Sequence, residues 1–483
     1  MLKPVSKQSP TNDSERILNT IATKTFFSLW SYPGIYRDVS NGQEVADLTV
    51  FFNNTLILFS DKGEVKFQSH KPVKLAWARW YRAAIKESAK QLHGAEKFIR
   101  DHPNRIFTDQ SCKELFPYDL SSKDLKIHLV CVTRGITDAA KQHWDSYGTG
   151  SAGTLLSSYR LNEQQTLERP FTINDINPDK TFVHILDETG LHLLLTELAT
   201  PTDFLNYLDC KEKAVRRGNL IGTGGEEDLL AYYLEGLDER GYGSIRHPAT
   251  DTSRPYTIHE WMWREFKKST AYIHHYTIKK SGELWAKILS NFSDSVINAT
   301  VGEGQDLPLL SHAEILQRLA AENMESRAKL ATGLIDKFHT VPELARSSRL
   351  MTSTCYDDRL YIFVFFPWDE AYESYEEYRQ ERALCMQMYA VVARYKFPDP
   401  KEIVIFGTTT KGRTPGSETI MIADSTFSLT PEARRHAQEI MRYEKILDDV
   451  VLTKNGIPST ASQGRNDKCL CGSGKKFKKC HGK

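Results

Sequence analysis

Two apolar runs, residues 48–52 and 55–59, separated only by Asn53-Asn54, constrain this chain more than any other stretch. Both are rich in β-branched and aromatic residues. Asn tolerates the positive φ that a two-residue turn demands, so the pattern predicts an antiparallel hairpin. Pairing Phe52 with Thr55 sets Asp47 opposite Ser60 and Val45 opposite Lys62. Strand side chains alternate with a period of two, so Asp47, Ser60 and Lys62 emerge on one face and Asp61 on the other. A carboxylate and an ammonium gathered at one end of a hairpin suit a divalent metal and a phosphate.

The elements around the hairpin read as a mixed α/β protein. Ile17, Leu18, Ile21, Ala22 and Thr25 recur at helical spacing behind Ser14, the expected N-cap. Over residues 73–100 a longer helix gathers Trp77, Trp80, Tyr81, Ala84, Ile85, Ser88, Leu92, Ala95, Phe98 and Ile99 on one face. Its opposite face carries Arg79, Arg82, Lys86, Lys90, Lys97 and Arg100, which suits either a phosphate backbone or plain solvent. Gln91 falls within the apolar stripe. A buried amide needs a partner, so either the polar end of the hairpin or a backbone carbonyl should meet it.

Further strands are expected at 127–133, 181–186, 359–366, 402–408 and 418–423, and helices over 191–208, 229–237, 258–272, 282–292, 313–338, 368–395 and 431–447. The Gly-rich loop 218–225 runs into Glu226-Glu227-Asp228. Acids therefore fill the first helical turn where an anion would otherwise sit. Residues 241–255, rich in Gly, Ser, Pro, Thr and Asp, read as a linker. The expected division is 14–240, 256–447 and a tail at 464–483.

With 483 residues the chain is long enough for two or three cores, and its net charge of +1 confines any nucleic-acid surface to a local patch. No apolar run approaches the roughly 20 residues of a membrane span. The polar lead-in, residues 1–13, lacks the apolar core of a signal peptide. Three of the eight cysteines crowd into the tail and the others are scattered, which argues for a reducing, cytoplasmic setting and a metal site.

Cys469, Cys471, Cys480 and His481 form a donor set that closed tetrahedral Zn²⁺ sites use, and Gly472, Ser473 and Gly474 let the chain turn back on itself. So short a segment has no core, so the metal supplies its folding free energy. Seven basic residues against Asp467 give it a patch suited to phosphate or an acidic protein face. The pattern Cys-x-Cys, Gly-Ser-Gly-Lys-Lys, Cys-His closely resembles the SEC-C motif, the zinc module found at the end of the export motor SecA and on unrelated proteins. The resemblance stops there: no Gly-x-x-x-x-Gly-Lys-Ser/Thr phosphate loop occurs in the chain.

Asp47, the hairpin, and the Ser-Asp-Lys ending at Lys62 resemble the core of the PD-(D/E)xK nuclease superfamily. The helix with Gln91 and Gly94-Ala95-Glu96 is similar to the Gln-bearing helix of its RecB-like branch, and a preceding helix with an acid, here Glu15, is the usual first element. The resemblance implies a restriction-endonuclease-like domain. In it Asp47 binds Mg²⁺ or Mn²⁺, Lys62 steadies the nucleophile and the developing charge, and Gln91 positions substrate or lysine. Glu44 is a further metal ligand. The substrate class implied is nucleic acid, DNA before RNA, and by analogy the setting is genome or anti-phage defence.

The chain departs from the family at Ser60, which stands where an acid is usual. A bulge near Gly63 re-aims Asp61, or Glu44 or Glu15 completes the site, or the site is degenerate. In that last case the protein is a non-enzymatic adaptor that docks to a partner or ribosome through its tail.

Overall fold

The computed structural model describes residues 2–148, 150, 152–302, 305–368, 371–410, 418–424, 429–452, 458–460 and 476–479. It is a mixed α/β structure in two compact units, Met1–Lys280 with Ala286–Met324 and Ser281–Trp285 with Glu325–Lys483. No helix among the described residues is long and apolar enough to cross a membrane.

The first unit is built on a six-stranded sheet. After the helix Asp13–Trp30 come β1 (Ser31–Arg37), β2 (Gln43–Phe52) and β3 (Thr55–Lys62), an antiparallel meander. The short β4 (Ile106–Phe107) borders β1. Beyond β3 lie β5 (Lys126–Thr133) and then Val183–Asp187, both parallel to it. The hairpin register runs from Phe52↔Thr55 to Leu48↔Phe59, and Asn53 and Asn54 take φ of 50° and 55°. These are the two left-handed positions of a tight hairpin turn. Leu56, Ile57, Leu58 and Phe59 are all buried, as a central strand covered on both faces requires.

Alternation along β3 sends Lys62 to one layer and Asp61 to the other. Lys62 reaches Gln91 on the helix that runs without a break through Val73–Trp80, a π-helical turn Tyr81–Lys86 and Glu87–Asp101. Asp61 reaches Ser14 on the first helix. The long helix buries Trp77, Trp80, Tyr81, Ala84, Ile85, Ser88, Leu92, Ala95 and Ile99, and Arg79, Arg82, Lys86, Lys90, Lys97 and Arg100 on its opposite face stay exposed. The first helix is capped by Asn12, whose side chain accepts from Glu15 N, and not by the expected Ser14.

Four expected elements divide differently, one of them the 258–272 helix, which is the end of the strand Tyr256–Ile258, then Met262–Phe266 and the start of Thr270–Ser281. The 191–208 helix is two, Glu188–Glu197 and Pro201–Arg216, because Pro201 cannot continue a helix but suits the start of one, behind the Thr200 cap. Residues 313–338 fall within Leu309–Ala320 and Met324–Thr340. Residues 241–255 do not separate the compact units but lie within the first. They are tied down by Asn206 to Gly243, Tyr232 to Arg246 and Asn219 to Thr252, and Tyr256–Ile258 then pairs with Leu220–Thr223.

The second unit carries the sheet Ser347–Thr352, Arg359–Phe366, Glu402–Thr409, Thr419–Asp424 in that spatial order. Its central pair is parallel and joined through the helix Tyr375–Lys396. Ile362, Val364, Met386, Val392, Ile403 and Ile405 form its core. Trp285, which belongs to this unit, meets Tyr361 and Phe363 edge-on and Phe406 at a tilt.

Candidate functional site

A cleft of about 550 Å³ opens where the polar ends of β2 and β3 meet the long helix, with Arg37, Glu44, Asp47, Ser60, Lys62, Lys90 and Gln91 among its walls. The hairpin register puts Asp47 here. Its carboxylate accepts the backbone N–H of Asp61 from the neighbouring strand. Burial nonetheless pushes Asp47 up to about 6; the Asp61 amide and Lys62 oppose the rise, and Glu15 and Asp61 add to it.

Glu44, at the open side, is pushed up to about 7, first by desolvation, then by Asp47 and Glu15, with Lys62 pulling it back. Gly34 clears the space beside Glu44: a Cβ there would lie 3.2 Å from Glu44 Oε1 and 3.0 Å from the Tyr36 hydroxyl. The Tyr36 hydroxyl is itself pushed up to about 12 by burial and by Glu44 and Glu15. The cleft therefore carries acidic groups that repel one another, which is the electrostatic state a cation relieves.

Lys62 Nζ donates to Gln91 Oε1 at 2.6 Å. The amide's partner is the end of the hairpin, not a backbone carbonyl. Gln91 is solvent-exposed, not buried, because it stands on the border of the apolar stripe where the cleft opens. Ser60 is buried in the cleft wall.

Asp61 is absent from this cleft. Simple alternation holds and no bulge re-aims it. Its carboxylate accepts from Arg134 Nε at 3.1 Å and Nη2 at 3.0 Å and from Ser14 Oγ at 2.8 Å, with the side chain only 1% exposed. Arg134 was not foreseen as its partner: it lies 73 residues further along and adjoins Asp61 only because β5 pairs with β3. Glu15 is likewise committed, accepting from Thr11 N and Oγ1 and Asn12 Nδ2 at the helix start. The structure thus brings together Asp47, Glu44, Lys62 and Gln91, and leaves Asp61 out.

The Gly-rich loop behaves as its acids predict. Gly225 caps Glu226–Glu235, and the acids are occupied: Glu226 with Lys211 and Tyr207, Glu227 with Thr154, and Asp228 with the Trp263 amide. In the tail, Cys469, Cys471, Cys480 and His481 lie outside the described residues.

Comparison with known proteins identifies the SEC-C motif over residues 465–483. A stretch of 86 residues is 37% identical to the protein translocase subunit SecA of Chlorobium phaeobacteroides, covering 14% of this chain and 8% of that protein. The chain thus spans only a small part of the relative it matches. No solved structure matches it.

Proposed function

We propose that the first unit is a metal-dependent nuclease that hydrolyses DNA phosphodiesters, and that the tail is a zinc-bearing docking module. The observation that carries the reading is the convergence of Asp47, Glu44, Lys62 and Gln91 on one cleft, in the order of elements that the PD-(D/E)xK resemblance calls for. The SEC-C match supports Zn²⁺ at Cys469, Cys471, Cys480 and His481.

The donor chemistry fits a hard cation. Asp47 and Glu44 offer carboxylate oxygens whose charges oppose each other, so they would hold Mg²⁺ or Mn²⁺. When bound, the ion neutralises phosphate charge and acidifies a water. The remaining steps fall to the chain. The Asp61 amide fixes the Asp47 carboxylate, and the Lys62 ammonium meets a non-bridging phosphate oxygen and stabilises charge as it develops. Gln91 holds Lys62 extended into the cleft. Arg37 and Lys90 on the walls suit the flanking backbone phosphates.

Ser60 and the turned-away Asp61 favour the rival, a non-catalytic adaptor. Purified protein incubated with linear, circular and single-stranded DNA and with RNA, in Mg²⁺ or Mn²⁺ and in EDTA, separates the two. Cleavage that needs the metal is expected. No cleavage of any substrate would hand the reading to the adaptor.

A further inference from the structure

His128 on β5 and His184 on Val183–Asp187 are diagonal neighbours on paired strands, His184 standing opposite Val130, with ring centroids 5.6 Å apart. Their exposures are 1% and 0%, and neither ring nitrogen of His184 has a hydrogen-bond partner. Buried polar groups are normally satisfied, so a doubly orphaned imidazole needs a reason. Glu212, on the helix Pro201–Arg216, supplies one: ligand atoms of His128, His184 and Glu212 all lie within 4.8 Å of one another.

One turn before Glu212, Asp209 places Oδ1 3.1 Å from His128 Nε2, within ion-pair range but short of hydrogen-bond geometry. Metal-bound imidazoles commonly have a carboxylate partner of this kind. The nearby ammonium groups are already answered, Lys126 by Asp209 and Lys211 by Glu226. Glu212 is partly exposed, which leaves a path for an ion. The site is separate from the Asp47 cleft: His128 pairs with Ile57, whereas Lys62 pairs with Thr133 at the far end of β5.

We propose that His128, His184 and Glu212 bind one divalent transition-metal ion of the Zn²⁺ class, with Asp209 orienting His128, and that the ion pins the helix Pro201–Arg216 to the sheet. Two imidazoles and one carboxylate select such an ion over Mg²⁺, which prefers an all-oxygen shell.

The test uses the full chain carrying Cys469→Ser and Cys471→Ser, which empties the tail, stripped with a chelator and titrated with Co²⁺. The expected result is one equivalent bound beyond any that the Asp47 cleft takes, a visible d–d absorption band without sulfur-to-metal charge transfer, and a raised melting temperature. Adding Glu212→Gln or His184→Gln should abolish the band, and adding Asp47→Asn should leave it intact. Glu212 is partly exposed, so its variant keeps the test valid if the histidine variant fails to fold. Absence of a band and of thermal stabilisation in the cysteine variant would overturn the site, as would a band that survives Glu212→Gln and His184→Gln.

Discussion

Asp47 carries opposing demands. Its carboxylate is half-buried beside Glu44 with only Lys62 and one amide to offset the lost solvation, so its pKa is raised to about 6, and that of Glu44 to about 7. A raised carboxylate pKa means the folded, metal-free protein binds protons more tightly than the unfolded chain. These groups therefore cost stability above pH 7, and the cost disappears as pH falls through 7 and 6 towards the unfolded values. Asp47→Asn keeps an oxygen for the Asp61 amide and removes the charge. It should raise metal-free stability at pH 8 by about 1 kcal/mol, after discounting for residual solvent, and the gain should shrink below pH 6 and vanish near pH 4, the ordinary carboxylate value; denaturant melts at pH 8 and pH 4 check it. Protons compete with metal for the same oxygens, so the Mg²⁺ needed for half-maximal cleavage should fall as pH rises from 6 to 8. The sequence showed that Asp61 faces away from Asp47, because period-two alternation is local. It could not show that Arg134 claims Asp61, because that contact depends on which strand docks beside β3.

At the scale of elements, the hairpin was legible to the register, since a two-residue Asn-Asn turn leaves the strands little choice of pairing. Asn54 has φ of 55°, so Asn54→Gly should leave stability equal or higher by about 0.5 kcal/mol. Asn54→Val should lower stability by about 1–2 kcal/mol, as read from thermal melts, because a β-branched residue resists the left-handed region. The long helix was legible in its apolar stripe but not in its π-helical turn, which no periodicity marks. Gln91 was picked out as an amide needing a partner, and Lys62 is that partner. A helical projection sets Gln91 among buried positions although it is exposed, because the projection carries no information on where a neighbouring sheet ends. Pro201 marks the break by its own chemistry, but the leucine pattern on both sides of it reads as one continuous helix. The histidines at 128 and 184 carried no signal, since residues 56 apart become neighbours only through strand pairing.

For the whole molecule, the mixed α/β class followed from strand and helix patterns along the chain, but the division into units did not. A Gly- and Pro-rich stretch reads as a linker from composition, yet residues 241–255 are held by hydrogen bonds to Asn206, Tyr232 and Asn219 that composition cannot reveal. The SEC-C motif of the tail was legible outright, because its Cys and His spacing is local. Deleting 464–483 should release one equivalent of zinc and weaken nucleic-acid binding while leaving the intrinsic hydrolysis rate within about twofold, as metal analysis and single-turnover cleavage would show.

The proposed hydrolysis depends on Lys62, whose ammonium Gln91 holds in the cleft that Asp47 lines. The deciding measurement is the Mg²⁺-dependent cleavage rate of the full chain beside its Lys62→Ala variant, on the same DNA and with folding verified by circular dichroism. Loss of about 10²-fold or more in the variant is predicted, the scale on which one transition-state donor acts. Equal rates in the two proteins would contradict the assignment.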